Sequence, residues 1–116
     1  MRLITRSDFD GLACGALLLA AKVVDSWMFA HPKDIQDGLV PVTENDVLAN
    51  VPFAPGCGLW FDHHSSEEER LKIKGHYKGE SRISPSAARI IYEYYGGKER
   101  FPNFDDLMLA VDKVDS

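Results

Sequence analysis

Apolar positions along this chain fall into short runs and longer ones, in alternation. The short runs are Leu3-Ile4-Thr5, Ser26 to Ala30, Asp46 to Val51 and Gly58 to Phe61, each bounded by polar or turn-forming residues as strands in a sheet are. Leu12 to Val24 is rich in Ala and Leu and apolar on nearly every face, which predicts a helix sandwiched against that sheet. Pro32 to Gly38 predicts a short helical turn, and Pro52, Pro55 and Gly56 force a loop before the fourth strand. The polar stretch from Ser65 to Arg82 places Glu67-Glu68-Glu69 on a short solvated helix, with Gly75 and Gly79 marking loop. Ser84-Pro85 reads as a helix start, Ser84 as N-cap and Pro85 at the first helical position, and that helix runs to Gly96-Gly97. Phe104 to Val114 predicts a last amphipathic helix. The alternation gives an α/β fold, a parallel sheet with helices on both faces. Trp27, Phe29, Trp60 and Phe61 are expected in its core. Tyr92, Tyr94 and Tyr95 share one helix and cannot all be buried, so some tyrosine surface is expected, where a further domain or a second copy in a homodimer would dock.

Composition narrows the function. A chain of 116 residues with 45% apolar and 27% charged content suits one globular domain over residues 1–116. No apolar stretch is long enough for a membrane span and the start resembles a strand rather than a signal peptide, so a cytoplasmic protein is expected. The net charge of −5 argues against nonspecific binding of duplex DNA, which rests on many Lys and Arg contacts to phosphate. Cys14 and Cys57 form neither a CxxC pair nor a disulfide framework and are expected to be buried free thiols.

Two clusters follow probable strands: Asp8-Phe9-Asp10-Gly11 after the first and Asp62-His63-His64 after the fourth. Parallel strands would bring both clusters to one sheet edge, where hydrolytic metal sites are built. Asp8 and Asp10 at i and i+2 can reach one centre, and Gly11 permits close backbone approach. Carboxylate oxygens suit Mg²⁺ or Mn²⁺, and His63 as a nitrogen ligand favours Mn²⁺. Asp62 either binds the ion or orients an imidazole from behind. A plainer reading takes the first cluster as a turn and the histidine pair as core.

These two motifs, with Ala110-Val111-Asp112-Lys113-Val114-Asp115, resemble three signature motifs of the DHH phosphoesterase family, in order and over nearly the whole chain. The family includes single-strand exonucleases, nanoRNA and cyclic-dinucleotide phosphodiesterases, polyphosphatases and manganese pyrophosphatases. The resemblance implies a Rossmann-like sheet carrying Mn²⁺ ions, one or two, followed by a smaller C-terminal substrate-binding domain. That domain is missing here, and the last helix reaches Ser116 without a cap, as expected of an N-terminal piece of something longer. Carried over, Asp8, Asp10 and His63 resemble metal ligands, and His64 resembles a phosphate contact or proton donor. Asp112 looks like the late ligand, with Asp115 as the alternative. Two positions depart from the pattern. Arg6 stands where relatives carry a His before the first Asp, and Asn50 stands where they end the third strand with a bridging Asp. An arginine cannot ligate a cation, but its guanidinium forks onto phosphate oxygens.

The expected activity is Mn²⁺-dependent hydrolysis of a small phosphodiester or phosphoanhydride, such as a short oligonucleotide, cyclic dinucleotide or polyphosphate. Metal-activated water attacks phosphorus, while His64 and Arg6 stabilise the transition state or leaving group. Ser84 and Ser86 would offer hydroxyl and backbone N–H groups to a second phosphate, or serve only as caps. Arg70, Lys72, Lys74, Lys78 and Arg82 make either a solvated face or a groove for an extended anion. The alternative function is a catalytically idle domain that binds metal or nucleotide as a sensor.

Overall fold

The computed structural model describes residues 1–115. Five parallel strands form its sheet: β1 (Arg2–Thr5), β2 (Ser26–Phe29), β3 (Asp46–Ala49), β4 (Leu59–Asp62) and β5 (Gly79–Ser81), in the order β2-β1-β3-β4-β5. Side chains alternate across the sheet because strand period is two. Leu3, Val47, Ala49 and Phe61 face one layer, with α1 (Phe9–Ala20), α4 (Ala87–Tyr94) and α5 (Asp105–Asp115). Ile4, Leu48 and Trp60 face the other, with Ile35 of α2 (Pro32–Gln36), Ile73 of α3 (Glu67–Ile73), Phe53 and Tyr77. Helices therefore cover both faces in a Rossmann-like α/β arrangement. No described helix is long and apolar enough to cross a membrane.

The order reverses at β1, whose neighbours are β2 on one side and β3 on the other. In open α/β sheets that reversal leaves a crevice at the carboxyl ends of the strands. Here the segments leaving β1, β3 and β4 begin with Arg6, Asn50 and His63, so the sheet itself gathers the candidate residues.

Several elements differ from expectation, each for a local reason. Helix α1 starts at Phe9 rather than Leu12, because Asp8 caps it, its Oδ1 accepting from Gly11 N at 2.8 Å. Gly11 thus lies in the first turn, and a Cβ there would come within 1.9 Å of the Arg6 carbonyl oxygen. The close approach that Gly11 permits is to the chain's own backbone. Helix α4 is capped by Ser86 rather than Ser84, its Oγ accepting from Arg89 N at 3.0 Å, and Pro85 precedes the helix. Strand β5 lies within what reads as loop: Gly-Glu-Ser carries no strand-forming side chain, and Gly79 sits at φ +112° with Trp60 O 2.3 Å from where a Cβ would be. Trp60 and Phe61 are fully buried, but Trp27 and Phe29 are 54% and 45% exposed because β2 is an edge strand. Cys14 is buried and Cys57 half-buried, both free.

Candidate active site

The groups singled out by sequence arrive from four segments. Asp10, in the first turn of α1, is fully buried, and its carboxylate accepts from two amides at the start of α4, Ala87 N to Oδ2 and Ala88 N to Oδ1, both 2.9 Å. Two amides at a helix N-terminus are a strong anion anchor. Burial nevertheless pushes the Asp10 carboxyl up to about 6, opposed by those two N–H groups and assisted by the nearby Asp115 charge.

His63 leaves β4 with its Nδ1 3.0 Å from the Ser84 carbonyl oxygen. A carbonyl only accepts, so the proton of the neutral ring is on Nδ1, and Nε2 keeps its lone pair. That Nε2 lies 3.4 Å from Asp10 Oδ2 and 2.8 Å from Asp115 Oδ2. Both His63 Nε2 and Asp115 Oδ2 are buried without a hydrogen-bond partner among the described residues. Three ligand atoms thus converge on one region, two of them unsatisfied among the described residues, an arrangement that a divalent cation would resolve.

His64 is turned differently. Its Nδ1 bonds Asp62 Oδ1 at 3.0 Å, while Asp62 Oδ2 accepts from Ser65 N at 3.1 Å and Ser65 Oγ at 2.8 Å. Asp62 is therefore buried and committed to the loop and to His64, acting from behind an imidazole rather than reaching toward Asp10. The hydrogen bond to Asp62 raises the pKa of the half-exposed His64 above its ordinary value, against a lowering by partial burial.

Asp8 stands apart from the Asp10 group. Its Oδ1 accepts from Gly11 N and, at 3.0 Å, from Asn50 Nδ2, while Oδ2 lies 3.5 Å from Arg6 Nε. A cavity of about 270 Å³ is lined by Arg6, Asn50, Asp62, His64, Ser65 and Glu69, among others, and it adjoins the converging ligand atoms through His64, whose ring centroid lies 4.0 Å from that of His63.

Two expected site residues lie elsewhere. Asp112 is tied to Arg89 Nη2 at 2.6 Å and to Ser86 Oγ at 2.9 Å, one helical turn from the cleft, while Asp115 faces His63. The spacing of the two aspartates on α5 decides this, since only the later one reaches β4's end. Ser86 is fully buried, its hydroxyl donating to Asp112 and accepting from Arg89 N, so it offers nothing to a phosphate. Ser84, whose carbonyl fixes His63, also has a buried Oγ with no partner among the described residues. No sequence signal marks that carbonyl role. In the basic stretch Arg70 bonds Ser81, Lys72 pairs with Glu68, and Arg82 pairs with Glu80 and Glu93.

No family model matches the chain, and no curated protein matches it. Among solved structures it is similar to PggH, a pGpG-specific phosphodiesterase from Vibrio cholerae, at 44% identity and a TM-score of 0.85. The likeness covers 98% of this chain but 36% of that one, so the chain spans about a third of the length of the phosphodiesterase it matches.

Proposed function

We propose that the chain is a metal-dependent phosphodiesterase domain of the DHH type, hydrolysing a small nucleotide phosphodiester of the kind represented by pGpG. The observation that carries this reading is the convergence of Asp10 Oδ2, His63 Nε2 and Asp115 Oδ2, two of them buried and unpartnered, beside a cavity lined by Arg6 and His64. The 44% identity to a phosphodiesterase across 98% of the chain supports the reaction class. In this proposal the longer protein supplies a further substrate-binding region.

The donor set of carboxylate oxygens and one imidazole nitrogen fits Mn²⁺, with Mg²⁺ as the harder alternative. When bound, the cation would supply Lewis-acid polarisation of the phosphoryl group and favour ionisation of the attacking water. The remaining work falls to the chain. Ser84 O and the α4 amides hold His63 and Asp10 in place. Arg6 binds a non-bridging phosphate oxygen through its free N–H groups. His64, oriented by Asp62 through Nδ1, presents Nε2 to the leaving oxygen and gives it a proton.

The test is pGpG hydrolysis followed by chromatography, with and without Mn²⁺, on the chain and on Asp10→Ala and His63→Ala. Mn²⁺-dependent release of GMP lost in both variants supports the reading, and metal-independent release overturns it. The idle-sensor reading draws on Arg6 and Asn50, which leave Asp8 engaged in the chain's own contacts. It predicts Mn²⁺ binding with no turnover.

A further inference from the structure

We propose that the cleft takes a single divalent cation, at Asp10, His63 and Asp115, and that Arg6, fixed on Asp8, is a resident second cation dedicated to the substrate phosphate. This rests on the metal reading above and specifies how many ions that site accepts and what replaces another.

The acidic residues divide into two halves with opposite needs. Around His63, two buried ligand atoms lack partners, and among the described residues the carboxylates of Asp10 and Asp115 face no basic side chain within ion-pair distance except His63 itself. Around Asp8, both carboxylate oxygens are already engaged, Oδ1 by Gly11 N and Asn50 Nδ2 and Oδ2 by the guanidinium of Arg6, and the one buried atom left without a partner there among the described residues is the neutral amide oxygen of Asn50. A cation reaching Asp8 Oδ2 would have to compete with a guanidinium already paired with that oxygen.

Asn50 reinforces the division. A carboxylate only accepts, so the amide must turn its Nδ2 to Asp8, and a donor hydrogen then occupies the position from which a ligand would offer a lone pair. The residue is buried at φ +61°, in the left-handed region that Asn enters more readily than most residues, and its backbone N–H is bonded to Phe61 O at 2.9 Å. Turning its amide away would break the bond to Asp8.

Arg6 is meanwhile half-exposed, and it makes no hydrogen bond other than its ion pair among the described residues. It lines both the 270 Å³ cavity and a neighbouring one of about 360 Å³ that contains Phe29 and His31. A guanidinium has five donors in a planar fork and never loses its charge, so it can grip two non-bridging oxygens of a phosphodiester. It cannot ionise water. The chain therefore assigns activation to one ion and charge neutralisation at the phosphate to a side chain that no chelator removes.

The experiment is Mn²⁺ titration calorimetry, with electron paramagnetic resonance at saturation, on the whole chain and on Asp8→Asn, His63→Ala and Arg6→Ala. Asp8→Asn keeps the helix cap on Oδ1 and removes the charge, and with it the ion pair to Arg6. The expected result is one Mn²⁺ per chain with the spectrum of an isolated ion, binding lost in His63→Ala, and affinity lowered less than about tenfold in Asp8→Asn, the effect of losing one nearby charge. Arg6→Ala should keep that stoichiometry and weaken GMP binding about tenfold or more, with partial recovery in Arg6→Lys. Two ions, an exchange-coupled pair, loss of binding in Asp8→Asn, or GMP affinity untouched in Arg6→Ala would overturn the inference while leaving the metal reading intact. No Mn²⁺ binding in the unaltered chain would overturn both.

Discussion

Asp62 Oδ1 sits 3.0 Å from Nδ1 of His64, and the other oxygen of the same carboxylate ties down Ser65. The pair fixes which face of the imidazole meets the cleft and keeps the ring protonated to a higher pH than a free histidine. If His64 is the proton donor, activity falls on the alkaline side as the ring loses its proton. His64→Ala should lower kcat for pGpG by about 100-fold or more, the usual size of a lost general acid. Asp62→Asn removes the interaction that raises the ring's pKa, so the alkaline limb of the pH–rate profile should move to lower pH. An unmoved limb would take His64 out of that role.

Asp10 sets an opposite dependence on the acid side. A carboxyl raised to about 6 by burial holds its proton more tightly folded than unfolded, so the metal-free protein should lose stability as pH climbs from about 4 to 6. A cation must displace that proton. Mn²⁺ affinity should therefore fall about tenfold for each pH unit below 6 and level off above it, in calorimetry from pH 5 to 8. Asp10→Asn should abolish the stability trend along with the binding.

Ser86 is a structural residue, and its replacement should show that. Ser86→Ala removes the α4 cap and the bond to Asp112, which costs about 1 to 2 kcal/mol in denaturant unfolding. KM for pGpG should stay unchanged in the folded variant. A raised KM at unchanged stability would return Ser86 to the substrate.

Gly11 carries a harder constraint. The Cβ of Gly11→Ala would lie 1.9 Å from a backbone oxygen that cannot rotate away, so either α1 or the turn at Arg6 must shift. The expected cost is about 3 kcal/mol, at the upper end of overpacking effects, read as a lowered melting temperature. Arg6→Ala, by contrast, should melt within a few degrees of the unaltered chain.

What could be read in advance divides along physical lines. Strands at Leu3, Val47 and Trp60 announce themselves because each buries both faces, and the motifs at Asp8 and Asp62 announce the site because two turns concentrate chemistry that no core needs. Strand β5 is silent because its pairing depends on a glycine backbone pressed against Trp60, not on side chains. The exposure of Trp27 and Phe29 follows from strand order, which no local pattern encodes. Whether Asp112 or Asp115 meets His63 turns on the rotation of α5 about its axis, set by Arg89 and Ser86 on a different helix. Likewise Arg6 and Asn50 stand out in the sequence as odd residues, but their joint hold on Asp8 appears only in three dimensions.

The two bonds from Asp10 to the amides of Ala87 and Ala88 join residues 77 and 78 positions apart. The site therefore cannot exist in a chain that has only begun to fold, because its first carboxylate is immobilised by a helix made from the last third of the sequence. Loop closure over such a span is entropically slow to achieve. Ion affinity and late folding are thus one event seen twice, and the hydrogen-exchange rates of those two amides are a gauge of whether the cleft is assembled at all.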